Sequence, residues 1–203
     1  MRFRVALTFD AEHPDRPNDG GGAAALIAGL RQMEIPATFF VQGRWAEAYP
    51  ELASRLAEDG HLIGSHSFYH ARMPLLSARG FAVDVRAAER AIRRFVGVDP
   101  RPWFRMPFGS GTDKATLLAH LTAMGYRNIG WNVTGLDWHR VRTARGVEKA
   151  VVEGAISHGD GAVVLLHTWP NATAAALEGI VARLRAGRAE FVRVDELDPW
   201  HPS

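Results

Sequence analysis

The chain has 203 residues, of which 47% are hydrophobic and 23% charged; this suits one folded domain over 1–203 and excludes a disordered polymer. A net charge of +2 with neutral histidines makes no case for a nucleic-acid partner, and the absence of cysteine excludes disulfides and thiolate metal sites. Any metal must be held by His, Asp or Glu, so the nine histidines are the residues to follow.

Residues 3–9 read as a first strand that runs directly into Asp10 and Glu12, two acids one residue apart. Taken alone, this stretch is equally a solvated turn capped by Asp10. Residues 13–22 form a loop rich in Pro, Asp and Gly, and 23–33 set Leu26, Ile27, Leu30 and Met33 at helical spacing. Residues 37–41 read as strand two, and Pro50 opens a helix that Gly60 stops. Residues 61–64 read as a short strand, 74–95 as mostly helix, 102–106 as strand, 112–124 as helix and 127–133 as strand. Then follow a helix over 143–157, an apolar strand over 162–166, a helix over 172–186 and a last strand over 191–194.

Alternating strands and helices imply parallel pairing, with about seven or eight strands. A closed eight-stranded barrel needs about 250 residues, so a distorted, incomplete (β/α) barrel fits this length better. An open doubly wound sheet is the alternative. Gly20-Gly21-Gly22 comes too late after strand one to be a phosphate loop. No apolar run reaches the roughly 18 residues of a membrane span. Met1-Arg2 leads straight into the first strand, so the expectation is a cytoplasmic protein, although a mature secreted form would read the same.

Polar residues recur where predicted strands end. Asp10 and Glu12 follow the first, His66 and His70 the third, Arg105 closes 102–106, Asp137 and Trp138 follow 127–133, and His167 follows 162–166. In a parallel barrel these ends open on one mouth. The i, i+4 spacing of His66 and His70 would set both imidazoles on one face of a helical turn. Two histidines and one carboxylate with an open position form a known catalytic zinc arrangement.

The string Gly60-His61-x-Ile63-Gly64-x-His66-Ser67-x-x-His70 resembles the second motif of the polysaccharide deacetylases, carbohydrate esterase family four. Leu7-Thr8-Phe9-Asp10 resembles the first motif, and Ala37-Thr38-Phe39-Phe40-Val41-x-Gly43 the segment between the two. Phe104-Arg105-x-Pro107-Phe108-Gly109, Trp131-Asn132-Val133-x-x-x-Asp137-Trp138 and Val164-Leu165-Leu166-His167 resemble the third, fourth and fifth. The resemblance runs from about residue 5 to 197 and implies metal-dependent hydrolysis of an acetyl group on a sugar, in a distorted (β/α) barrel with a NodB-type domain.

It also implies roles. Glu12, His66 and His70 would hold a divalent metal, zinc before cobalt, nickel or iron. Asp10 would be the general base, oriented by Arg105, and His167 the general acid, oriented by Asp137. A backbone N–H at Phe108 would face the oxyanion, and Trp138 and Trp169 would line the sugar groove. Two departures stand out. The family carries two adjacent aspartates where this chain has Asp10-Ala11, leaving Glu12 as the nearest carboxylate, and His167 is followed by Thr168 where many members have Asp. Two other readings are a hydrolase of a non-sugar C–N bond, such as a cyclic amide, and a sugar-binding module without catalysis. His61 reads as a packing residue, while His13, His139, His158 and His201 have no assigned partner.

Overall fold

The computed structural model describes residues 2–15 and 22–197. His201 and the first two glycines of Gly20-Gly21-Gly22 lie outside them. In chain order the elements are β1 (Phe3–Ala11), α1 (Gly22–Gln32), β2 (Thr38–Val41), α2 (Gly43–Ala48), α3 (Pro50–Glu58), β3 (Leu62–Ser65), α4 (Ala78–Phe95), β4 (Trp103–Phe104), α5 (Ala115–Ala123), β5 (Arg127–Asn128), β6 (Val133–Thr134), α6 (Ala144–His158), β7 (Ala162–His167), α7 (Asn171–Ala186) and β8 (Ala189–Phe191). Short 3₁₀ turns cover Met73–Leu75, Pro107–Gly109 and Val194–Glu196. Hydrogen-bonded strands follow the order β5-β4-β3-β2-β1-β7-β6, with β8 also on β1. This is the α/β class with the incomplete (β/α) barrel connectivity expected.

The chain divides into two compact units, and the boundary falls inside β1, between Asp10 and Ala11. In the first unit, which also takes Trp131 onward, β1 pairs in parallel with β7 from Val5↔Ala162 to Asp10↔His167. Both strands are buried along this ladder, which is why their residues form near-continuous apolar runs instead of alternating. Within the apolar run Thr8 is polar, and its hydroxyl donates to the Val164 carbonyl at 2.6 Å, while the polar Asp10 and His167 close the ladder. β6 extends the ladder through Val133↔Val164, and α7 packs between α1 and α6. Thr143 caps α6 by accepting the Gly146 N–H at 3.1 Å.

The second unit holds Ala11–Asp15 and Phe39–Gly130. Its core includes Met73, Phe81, Val85, Phe104, Met106, Leu121 and Tyr126. Ser77 caps α4 by accepting the Gly80 N–H at 3.1 Å. α2, absent from the sequence reading, packs on α4 at Gly43, where an added Cβ would stand 2.4 Å from Phe68 Cδ2 and 3.1 Å from Ala88 Cα. Gly43 also donates its N–H to the Ser67 carbonyl at 2.9 Å, so this close approach holds the segment between His66 and His70.

Several boundaries differ from expectation: the strand expected over 102–106 is only Trp103–Phe104, leaving Arg105 just past it, and the helix expected from 112 begins at Ala115. The span 127–133 is two short strands, β5 and β6, interrupted at Ile129 to Asn132. The third strand runs Leu62–Ser65, leaving His61 outside it. The helix expected from Pro74 begins at Ala78, because the 3₁₀ turn Met73–Leu75 and the Ser77 cap precede it. The last strand lies earlier, at Ala189–Phe191, and Val194 instead opens a 3₁₀ turn.

Candidate active site

The second unit brings together Glu12, His66 and His70, all buried, with one ligand atom from each lying within 4.8 Å of the others. Glu12 Oε2 is 3.2 Å from His66 Nε2 and 2.5 Å from His70 Nε2. The route to this geometry is not the expected helical turn. His66 follows the end of β3, Ser67 and His70 have φ of 63° and 57°, and a loop folds the second imidazole back beside the first. Left-handed backbone at non-glycine residues is uncommon. His13 and Phe108 add φ values of 57° and 59°, so four of the seven such residues described belong to this cluster and its rim.

Buried polar groups fix the loop. Asp84, on α4 yet only 4% exposed, accepts the Phe68 N–H at 2.9 Å and the Tyr69 N–H at 3.0 Å. Ser67 Oγ accepts the His70 N–H at 2.9 Å. His13, given no partner from sequence, donates from Nε2 to Glu12 Oε1 at 3.1 Å, and its ring lies 4.8 Å from that of His70. Gln42 Oε1 accepts the His13 N–H at 2.9 Å, and the Gln42 N–H donates to the Ala11 carbonyl at 2.9 Å. The signals available in the sequence were adjacency for His13 and a lone acid among the apolar positions of a helix for Asp84.

The donor chemistry fits a divalent metal. The Arg105 carbonyl, 2.9 Å away, accepts a hydrogen bond from His66 Nδ1. With Nδ1 committed to that carbonyl, Nε2 is the His66 nitrogen aimed at the Glu12 carboxylate, and a cation between them would take the place of the proton they share. Burial pushes the Glu12 carboxyl upward, but hydrogen bonds from His13, His66 and His70 outweigh it and hold the group well below its ordinary value. Burial lowers the His70 imidazole, against the opposing pull of its Glu12 bond. An ionised carboxylate and a neutral imidazole are the forms that ligate.

Arg105 is fully buried, stacks its guanidinium 4.0 Å over the Phe40 ring, and donates to the carbonyls of Ile129 at 3.2 Å and Gly130 at 3.1 Å. Phe108 lies 53% exposed on the turn after β4, its ring 4.4 Å from that of His70 and under the Arg72 guanidinium.

The first unit gathers the other predicted residues. Asp10, the penultimate residue of β1, lies opposite His167 on β7, and the Thr168 N–H donates to the Asp10 carbonyl at 3.2 Å. His167 Nδ1–H donates to Asp137 Oδ1 at 2.9 Å. Asp137 Oδ2 accepts the His167 backbone N–H at 2.7 Å and the Thr173 hydroxyl at 2.6 Å. Asp137 is thus the acceptor of a buried network, and Thr173 is a member that sequence reading missed. Trp138 meets the His167 ring edge-on at 5.3 Å, and Trp169 lies 6.1 Å from it.

Other expectations resolve simply. His61 is buried against the Phe39 ring at 5.1 Å, a packing residue as read. His158 does have a partner, the Asn132 side-chain amide at 3.0 Å. Trp103 and Trp131 are partly exposed, and it is Trp45 that fills the core.

The sequence profile described as Polysaccharide deacetylase matches residues 2–129, nearly two-thirds of the chain and all of the second unit's Glu12-His66-His70 cluster. The chain belongs to the polysaccharide deacetylase family. Within that family it is similar to the peptidoglycan-N-acetylglucosamine deacetylase PgdA of Listeria monocytogenes, 33% identical over 194 residues, which cover 96% of this chain and 38% of PgdA. Among solved structures it is similar to the T48 deacetylase with substrate, at 30% identity and a TM-score of 0.82 over 96% of this chain and 89% of that one. A family 4 carbohydrate esterase from Streptomyces lividans, in complex with acetate, gives 28% identity and a TM-score of 0.80 over 92% of this chain and 90% of that one. Membership in the polysaccharide deacetylases makes a hydrolase of acetylated sugars the frame for the geometry above.

Proposed function

We propose that this protein is a metal-dependent hydrolase that removes the acetyl group from an N-acetylated sugar of an oligo- or polysaccharide. The observation that carries the reading is the convergence of Glu12, His66 and His70, two imidazoles and one carboxylate, in a member of this family. Zinc suits that donor set best, with cobalt, nickel and iron as substitutes of similar preference. When bound there, the metal supplies Lewis-acid polarisation of the acetyl carbonyl and of the attacking water.

The chain's own groups do the rest. Asp10 accepts the proton of the attacking water as general base. The Phe108 N–H donates to the oxygen that gains charge as the carbonyl becomes tetrahedral. His167 delivers a proton to the departing nitrogen. Its Nδ1–H is committed to Asp137, so Nε2 is the position from which that proton leaves, and the carboxylate favours the charged imidazole. Trp138 and Trp169, flanking the His167 ring, present apolar faces to the sugar.

The test is acetate release from N-acetylglucosamine oligomers by zinc-loaded protein, run beside ring opening of a cyclic amide. Acetate release without ring opening is expected. Ring opening alone would assign the site to a non-sugar C–N bond.

A further inference from the structure

The second unit holds a cavity at the amino ends of its parallel strands, whereas His66 and Arg105 follow the carboxyl ends. Arg101, just before β4, and Gly125, just before β5, line it together with Arg86, Glu89 and Arg90 of α4 and the carboxyl end of α5. Its volume of about 540 Å³ is that of a small-ligand site. It shares no lining residue with the catalytic groups above. The stretch from Arg72 to Arg101 carries seven arginines and three acids, and the acids are committed. Asp84 holds the Phe68 and Tyr69 N–H groups. Glu89 Oε1 pairs with Arg93 at 3.2 Å and Arg101 at 3.6 Å, and its Oε2 accepts the Tyr126 hydroxyl at 3.3 Å. Asp99 pairs with Arg93 and Arg101. Arg86 and Arg90 are exposed, and neither guanidinium has a partner among the described residues. They stand four residues apart on one face of α4, a spacing at which like charges repel. The carboxyl end of α5 offers only about half a negative charge against them.

The third arginine is a fixed wall. Gly125 has a φ of 82°, and a Cβ there would stand 3.3 Å from Arg101 Cδ, so the glycine seats that side chain against the backbone. Asp99 then accepts from Arg101 Nη2 at 2.8 Å and from Nε at 3.1 Å. Arg86 and Arg90 are the two forks left for a ligand. One fork saturates a carboxylate, which has only two oxygens. A phosphomonoester offers three oxygens and close to two negative charges, so it can meet two forks and match their charge. We propose that this cavity binds the phosphomonoester group of a soluble ligand or of a lipid headgroup, through Arg86 and Arg90.

The experiment titrates zinc-loaded protein, at constant ionic strength, with glycerol phosphate and with dimethyl phosphate, a diester that carries one charge. Calorimetry reads affinity, and NMR of the arginine side-chain nitrogens reads location. Co-sedimentation with phosphatidylcholine vesicles, with and without phosphatidic acid, tests the lipid source. The monoester should bind saturably, about 10-fold or more tighter than the diester, and shift the Arg86 and Arg90 signals. Arg86→Gln/Arg90→Gln should weaken that binding about 10–100-fold, the range for charge-assisted hydrogen bonds, and leave acetate release and zinc content unchanged. Glu12→Ala should bind the monoester as the wild type does, which separates this cavity from the metal centre. Arg90→Glu, at an exposed position, should give the same loss and decides the matter if the double variant does not fold. Binding of glycerol phosphate without vesicle binding supports a soluble ligand. Vesicle binding that needs both phosphatidic acid and the two arginines supports a lipid headgroup. Binding of neither, equal affinity for monoester and diester, or affinity that survives in Arg86→Gln/Arg90→Gln would overturn the inference.

Discussion

Asp10 and His167 are register partners at the carboxyl ends of two adjacent parallel strands, β1 and β7, in the same compact unit. A one-residue slip of either strand against the other would turn that strand's side chain to the opposite face and separate the pair. The proposed base and acid are therefore set by a buried ladder and not by loop conformation.

Replacing His167 by Ala should lower turnover about 10²–10⁴-fold, the usual contribution of a general acid, while bound zinc is unchanged. Steady-state acetate release and metal analysis of the same preparation check this. Asp137→Asn should slow the reaction too, because an amide neither holds the Nδ1–H tautomer nor favours the imidazolium. Full turnover by His167→Ala would remove the acid assignment.

His13 holds Glu12 Oε1 while Oε2 faces the two ligand histidines. Its loss should weaken zinc binding about 10–100-fold, as for other groups that orient a metal ligand. His13→Gln keeps a side-chain donor and should recover part of the loss. Competition with a chromophoric chelator measures both. Wild-type affinity in His13→Ala would show that the contact orients nothing.

Asp84 holds the loop between the two ligand histidines through the N–H groups of Phe68 and Tyr69. Asp84→Ala leaves both donors without that acceptor and should cost about 1.5–3 kcal/mol of stability, with a parallel loss of zinc affinity. Urea unfolding of the metal-free protein gives the first number. An unchanged midpoint would mean that water replaces the carboxylate without penalty.

His61 predicts a pH dependence. Burial lowers its imidazole below the ordinary value, only partly opposed by the Asp59 charge, and neither ring nitrogen has a hydrogen-bond partner. The unfolded chain therefore binds a proton at higher pH than the folded one. Stability is full above the unfolded value of about 6.5, falls as the pH drops below it, and levels off beneath the folded value. His61→Leu should flatten that slope. Urea midpoints for both proteins at several pH values across this window measure it, and parallel curves would refute the assignment.

Much of this was legible in the sequence for physical reasons. Apolar runs such as Ala162 to Leu166 mark buried parallel strands, and polar residues after them mark strand ends. What was not legible was the path between those ends. His66 and His70 carry helical spacing, yet they converge through two left-handed residues, a conformation that a Ser or His does not announce. α2 was hidden because only six residues form it, too few for a clear period. Asp84 was passed over because it acts on loop N–H groups brought near by folding, and His13 because adjacency to Glu12 does not show that its ring turns back onto the carboxylate.

The most direct test is one titration series. Wild-type protein and Glu12→Ala are stripped with chelator, reloaded with graded zinc, and assayed for bound metal and for acetate released from N-acetylglucosamine oligomers. The account predicts that wild-type activity rises with zinc to one equivalent, and that Glu12→Ala binds zinc weakly and releases little acetate. Acetate release by the stripped wild-type protein, or one tightly held zinc in Glu12→Ala, would contradict it.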